Sequence, residues 1–322
     1  MQFTRRAAIL GGLSALPIIG KGSAAFAAQK LNVVATTGMI ADAARRVGGE
    51  RVEVRALMGP GVDPHAYRQT RSDIVAMTRA DLVLWHGLYL EAQMEAFFED
   101  LGRKRSVVAV AETIPKSILL GHADYDDRYD PHVWMYPALW TGVVRGIAQS
   151  LGESRPDDAE YFNGNASAYI AELENLHLYA LKTLSRVPTD QRVLVTAHDA
   201  FGYFGKAYDF EVIGIQGIST ASEAGLNRVS SLVNMLVERE INAVFVETSV
   251  SDRNIRALIE GAQARGQNVS IGGSLYSDAM GRDGTYEGTY LGMIDHNVTT
   301  IANALGADVD PAGMAGKLGQ GS

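Results

Sequence analysis

Two prolines, Pro156 and Pro188, bracket about thirty residues that contain no other proline and keep a helical rhythm. Leu173, Leu176, Ala180 and Leu184 recur at the i, i+3, i+4 spacing of one packed helix face. Ser154 is a capping residue type, Pro156 suits a first helical turn, and Asp157 and Asp158 suit the positive end of a helix dipole. Pro188 cannot continue the helix. A helix over 156–187 at 1.5 Å per residue would be about 45 Å long, enough to run through a protein of 322 residues. The chain before it and the chain after it must therefore fold as two bodies on one rod, which tolerates a tilt and resists a wide hinge. His177 lies within the rod and reads as structural.

Both flanks alternate short apolar strands with helices. Strands are expected at 31–35, 52–57, 82–85 and 107–110 before the rod, and at 193–196, 211–215, 243–247 and 269–271 after it. Helices are expected at 38–47, from Thr70 or Ser72 to 79, at 91–101 and at 137–151, then at 202–208, 227–240, 252–265 and 289–305. Such alternation builds parallel sheets with helices on both faces. The expected class is α/β: two lobes, each a parallel-sheet β/α sandwich, joined by one long backbone α-helix. The lobes are assigned to 28–153 and 189–307, the linking helix to 154–188, and a Gly- and Ala-rich flexible tail to 308–322.

Residues 1–27 read as a cleaved secretory signal. Arg5 and Arg6 are its charged start, 7–19 its apolar run and Ala25-Phe26-Ala27 its cleavage site. The run is too short to span a bilayer, so a periplasmic location is expected, by the general or the twin-arginine route. The sequence contains no cysteine. Disulfides, thiolate metal ligands and a lipid anchor on an N-terminal cysteine are accordingly not expected. Removing Arg5, Arg6 and Lys21 with the signal takes the formal net charge from −8 to −11. So acidic a chain argues against a nucleic-acid partner.

The chemistry concentrates at strand ends. Val193-Leu194-Val195 leads through Thr196-Ala197 to His198, and the carboxyl end of a buried strand opens on the crevice where α/β sheets bind ligands. Asp-Pro-His occurs twice, at Asp63-Pro64-His65 and Asp130-Pro131-His132. The prolines stiffen both loops by fixing φ. Asp278 follows the 269–271 strand between glycines, and its segment, 274–281, is expected to be the most mobile part of the site. Three imidazoles and one carboxylate make an N₃O site suited to zinc, manganese or iron, whereas calcium prefers all-oxygen shells. His65 and His132 precede the rod and His198 and Asp278 follow it, so the ion would sit in the cleft. Metal-bound histidines usually donate their other N–H to an acceptor. Glu247, ending its strand, is the candidate for that role, with a helix N-terminal acid as the alternative. His86 reads as structural, with a place near the site as the alternative, His296 as structural or exposed, and His122, in an acidic loop over 121–130, as solvent-exposed. Trp134, Tyr203, Phe204 and Tyr276 flank these residues and either dry the site or pack the core.

Ala197-His198-Asp199-Ala200-Phe201-Gly202-Tyr203-Phe204, followed by Gly217-Ile218-Ser219-Thr220-Ala221-Ser222-Glu223-Ala224, resembles the zinc/manganese-binding receptors of ABC importers, the cluster A-I family of TroA-like proteins. Asp-Pro-His-Ala-Tyr, Asp-Pro-His-Val-Trp, Ser-Asp-Ala-Met-Gly and Gly-Thr-Tyr-Glu-Gly-Thr-Tyr match the family in order and spacing, over about residues 30 to 305. The resemblance implies metal ligands at His65, His132, His198 and Asp278 and a single backbone helix. It also implies Zn2+ or Mn2+ as transported ligand, with Fe2+ ranked below them, delivery to an ABC-type permease in the inner membrane, and a monomer. Some manganese receptors of the family carry Glu where this chain has His198, a departure that favours nitrogen-preferring ions. Two other readings remain: a metal-stabilised adhesin or interaction protein, and a zinc hydrolase. The hydrolase would need an open coordination position and a general base, and the chain has no His-Glu-x-x-His or Gly-x-Ser-x-Gly. No enzymatic activity is expected.

Overall fold

A computed structural model describes residues 29–122 and 127–319. The signal segment 1–27 lies outside the described residues, as does the middle of the acidic loop. In the first half, β1 (Leu31–Ala35), α1 (Gly38–Gly48), β2 (Val52–Ala56), α2 (Arg71–Arg79), β3 (Leu82–Trp85), α3 (Glu95–Gly102) and β4 (Ser106–Ala109) build a parallel sheet of order β2-β1-β3-β4. Helix α4 (Pro137–Ser154) leads into the long helix α5 (Ala159–Leu184). The second half comprises β5 (Val193–Thr196), α6 (Gly202–Tyr208), β6 (Glu211–Gly214), α7 (Leu226–Glu238), β7 (Ala243–Glu247), α8 (Arg253–Gln263), β8 (Ser270–Leu275) and α9 (Tyr290–Ala304). Its parallel pairs β5-β6 and β7-β8 adjoin through β5 and β7.

The rod is shorter than its pattern suggests. Pro156–Asp158 is a 3₁₀ turn, and α5 has 26 residues, about 39 Å at 1.5 Å each. Ser154 is no cap: it ends α4, and its hydroxyl donates to Ser150 O. Helix α3 starts at Glu95 rather than 91, because the preceding chain is tightly turned. Gly87, Leu88 and Tyr89 all have positive φ, and the Glu91 carboxylate faces inward to accept from the backbone N–H groups of His86 and Gly87. Strand β8 runs on through Gly272-Gly273, where a Cβ on Gly273 would come within 2.3 Å of Thr300 in α9. Residues 308–319 form turns against α9, with Val309 buried and Met314 N donating to Asp295 Oδ1 at 2.8 Å.

Helix α5 packs on α4 and α1 of the first half and on α9 and α6 of the second. One apolar core therefore continues from Val33 and Trp140 through Leu173 and Leu176 to Phe204, Tyr290 and Ile301. Trp140 stacks on Tyr290 at 5.5 Å, and Tyr290 Oη donates to Trp134 O at 2.7 Å. Trp134 Nε1 donates to Ser277 O at 2.8 Å, and Tyr203 Oη to Asp130 O at 2.9 Å. These bonds cross between the halves beside the strand ends. No helix among the described residues is long and apolar enough to cross a membrane.

Candidate metal centre

Each sheet delivers its chemistry at the carboxyl ends of its strands. His65 lies in the loop after β2 and His132 just ahead of α4, while His198 follows β5 and Asp278 follows β8. The two Asp-Pro-His segments fold alike at first. Asp63 Oδ1 accepts the His65 backbone N–H at 2.8 Å, and Asp130 Oδ1 accepts that of His132 at 2.9 Å. An aspartate that bonds the backbone two residues on fixes a turn, and the intervening proline restricts it further.

The four side chains converge. One donor atom from each of His65, His132, His198 and Asp278 lies within 4.8 Å of the others, and all four residues are buried. His65 Nε2 and His132 Nε2 are 3.3 Å apart, His198 Nε2 and Asp278 Oδ2 3.2 Å, His132 Nε2 and Asp278 Oδ1 3.4 Å, and His65 Nε2 and Asp278 Oδ2 3.8 Å. Donors held about 2.0–2.2 Å from one ion at tetrahedral corners are about 3.3–3.6 Å from each other. The cluster is already close to that size.

Nearby carboxylates settle which imidazole nitrogen faces inward. Asp130 Oδ1 also accepts from His132 Nδ1 at 2.7 Å. Glu247 Oε2 lies 2.5 Å from His198 Nδ1, and its Oε1 accepts the His198 backbone N–H at 2.9 Å. With a proton on Nδ1, each ring turns an Nε2 lone pair into the cluster. Glu247 thus faces His198 from the end of β7, six residues ahead of the start of α8 at Arg253, instead of capping that helix.

Three of the inward atoms lack a protein partner. Both oxygens of Asp278 and Nε2 of His198 are buried without a hydrogen-bond partner among the described residues; the short separations bring charges together without hydrogen-bond alignment. A buried carboxylate in that state is costly unless a cation faces it. The protonation pattern follows the same charges. Burial pushes His65 down to about 3, the Asp278 charge opposing it. Burial also works against a proton on His132, but the Asp130 and Asp278 carboxylates together outweigh it and raise that ring to about 9. His198 is likewise raised well above the ordinary imidazole range, Glu247 and Asp278 overcoming burial. Burial would raise Asp278, yet the charges of His198 and His132 hold it well below its ordinary value.

The remaining histidines lie elsewhere. His86 is fully buried behind the site with Nε2 2.7 Å from Pro131 O. His177 meets Tyr208 on the rod, and His296 meets Ser274 O. His122 is 9% exposed, which corrects the solvent-exposed expectation. Its backbone is turned in by the Gly121–Tyr129 bridge, and it lies within electrostatic reach of His65. Trp134 stands edge-on to His132 at 5.2 Å, whereas Phe204 packs among Phe201, Tyr208 and Phe210, and Tyr276 lies against His296. Sequence reasoning missed the hold of Asp130 on the His132 ring. The doubled Asp-Pro-His motif was the available signal.

The family model described as zinc-uptake complex component A, periplasmic (ZnuA), matches residues 33–304. The chain is 48% identical to the manganese-binding lipoprotein MntA of Bacillus subtilis over 300 residues, covering 93% of this chain and 98% of that protein. It is 32% identical over 301 residues to the metal ABC transporter substrate-binding lipoprotein SloC of Streptococcus mutans, covering 91% and 96%. Among solved structures, the periplasmic zinc-binding protein TroA of Treponema pallidum superposes with a TM-score of 0.84 at 46% identity, covering 86% of this chain and 99% of that one. Two of these relatives are named lipoproteins, so they lend no support to the expectation that this chain lacks a lipid anchor.

Proposed function

The chain belongs to the ZnuA family of periplasmic zinc-uptake components, and we propose that it is a high-affinity periplasmic receptor for a divalent transition metal. In this reading His65, His132, His198 and Asp278 are the ligands, and Asp130 and Glu247 fix the tautomers of two of them. One observation carries it: three imidazole nitrogens and a buried carboxylate converge on a common centre, with His198 Nε2 and both Asp278 oxygens left without a hydrogen-bond partner among the described residues. Zn2+ or Mn2+ is the cargo, as in the names of the relatives. The nitrogen-rich set binds zinc more tightly than manganese, following the Irving–Williams order, so manganese loading would depend on which metal is available.

Residues 28–153 and 189–307 act as the two lobes on the 154–188 segment, and each contributes two ligands. The ion is then held between bodies that both face an ABC-type permease in the inner membrane. The receptor acts as a monomer, reaches the periplasm through its 1–27 signal, and binds no nucleic acid. Four protein ligands fill a tetrahedral shell and leave no position for a catalytic water, which supports a receptor over a hydrolase.

Competitive titration of the metal-free protein with a zinc or manganese indicator tests the assignment. His65→Ala, His132→Ala, His198→Ala and Asp278→Asn should each lose most of the affinity and keep the apo fold by circular dichroism. Unchanged affinity in any of them removes that residue from the site.

A further inference from the structure

The two Asp-Pro-His segments are alike in sequence and differ in what their aspartates do. Asp130 uses one oxygen for both the backbone N–H and Nδ1 of His132, so backbone and ring are fixed together. Asp63 accepts the His65 backbone N–H on Oδ1 and turns Oδ2 away from the ring, where Thr220 Oγ1 donates to it at 2.6 Å. Among the described residues no carboxylate hydrogen-bonds His65 Nδ1. His65 is therefore the least restrained of the three imidazoles.

Thr220 belongs to the other lobe. It sits between β6 and α7 in the Gly217-Ile218-Ser219-Thr220-Ala221-Ser222-Glu223-Ala224 segment. That segment is lightly built. Ile218 is buried, but Ala221, Ser222 and Glu223 are exposed. A hollow of about 550 Å³, bordered by Asp199, Gln216, Glu223 and Arg228, lies alongside. The hydrogen bonds from Gln216 Nε2 to Ser222 O and from Asn254 Nδ2 to Glu223 Oε2 stay within its own lobe. The Thr220–Asp63 bond instead reaches across the cleft.

We propose that Thr220 is a positioning residue for metal retention: through Asp63 it ties the His65 loop to the opposite lobe and slows release of the ion. The inference rests on the assignment of His65, His132, His198 and Asp278 as the metal site. Its physical basis is the short hydroxyl–carboxylate bond, of the stronger, charge-assisted kind, on the loop of the ligand with least other support. The ion can leave when one ligand lets go, and His65 cannot swing away with its loop while Asp63 is held.

The test is stopped-flow release of Zn2+ into excess chelator from the full-length protein. The variants are Thr220→Val, Thr220→Ser, Asp63→Ala and the Thr220→Val/Asp63→Ala double variant. Thr220→Val should release on the order of tenfold faster, as expected for loss of one hydrogen bond to a charged group, with an unchanged association rate. Thr220→Ser keeps a hydroxyl and should release at the wild-type rate. In the Asp63→Ala background, Thr220→Val should add nothing. Equal release from wild type and Thr220→Val, equal acceleration by Ser and Val, or additive effects would each overturn the proposal. A wild-type chain that takes up no Zn2+ would overturn the site assignment instead.

Discussion

Replacing Glu247 with glutamine keeps its shape and removes a charge from a position where both oxygens are in use. Oε1 accepts the backbone N–H of His198 and Oε2 lies against its Nδ1. A carboxylate can accept from both; an amide must donate with one end. If the glutamine carbonyl faces Nδ1, its NH₂ opposes the backbone N–H, and one buried donor goes unsatisfied at a cost of about 1–3 kcal/mol. If the NH₂ faces Nδ1, the ring must carry its proton on Nε2, and the lone pair aimed at the cluster is lost. Removing the acceptor behind a metal-bound histidine costs about 10–100-fold in affinity, which is about 1.4–2.8 kcal/mol. That agrees with the value of a hydrogen bond to a charged group.

The same substitution should change the pH response in the opposite sense. His198 is raised because Glu247 and Asp278 outweigh its burial, so in wild type the metal must displace a proton from it. Without the Glu247 charge that proton is held less tightly. Glu247→Gln should bind more weakly at pH 8 and lose less affinity between pH 8 and pH 6. Competitive zinc titrations across that range measure both effects. Equal affinity at every pH would refute the role of Glu247 in orienting the ring, and a weaker but parallel profile would refute the electrostatic account.

Three further outcomes follow from the site. His132, at about 9, and His198, raised well above the ordinary imidazole range, both carry protons at pH 7 in the metal-free protein, while His65, at about 3, carries none. Zinc uptake at pH 7 should therefore release up to two protons, and affinity should climb toward about pH 9; calorimetry in buffers of different ionisation enthalpy reads the count, and release of none would contradict the arrangement. Because the folded-state values of those two rings lie above the unfolded value of about 6.5, their contribution to apo stability is complete below that pH and is lost as pH rises through the folded-state values, about 9 for His132. The apo melting temperature should fall over that interval while that of the zinc-bound protein does not. The shared core along α5 predicts that zinc leaves the radius of gyration by X-ray scattering unchanged within error; a clear contraction would mean that the lobes hinge.

Local periodicity made the fold legible. The strands at 31–35, 82–85, 193–196 and 243–247 match β1, β3, β5 and β7 residue for residue, because each is a short apolar run bounded by turn formers. The prediction failed where a side chain reaches past its own element. Glu91 looks like a helix starter, but its carboxylate turns inward to Thr36 and the backbone of the preceding turn. At the site, residue type and strand-end placement singled out His65, His132, His198 and Asp278 before their distances were known. The difference between Asp63 and Asp130 was not legible, because two identical tripeptides acquire different partners only when Thr220 arrives from 157 residues away.

The glycines around Asp278 suggest a loose ligand, yet tertiary contacts reverse that expectation. Ser277 and Asp278 are buried. Trp134 holds the Ser277 carbonyl from the first lobe, Ser249 meets the Ser277 hydroxyl at 3.0 Å, and Asn297 bonds both the N–H and the carbonyl of Tyr276. Gly281 is also less a hinge than a close contact, since a Cβ there would meet Glu287 at 2.7 Å. Three of the four donors are thus fixed from more than one side: His132 by Asp130, His198 by Glu247, and Asp278 by the bonds around its turn. The restraint left over is uneven and falls at His65, whose loop is tied to the other lobe by a partly exposed threonine. A receptor must bind tightly and still let go, and with a continuous core along α5 that difference has to come from a ligand loop. The loop least built into the core is where release should begin.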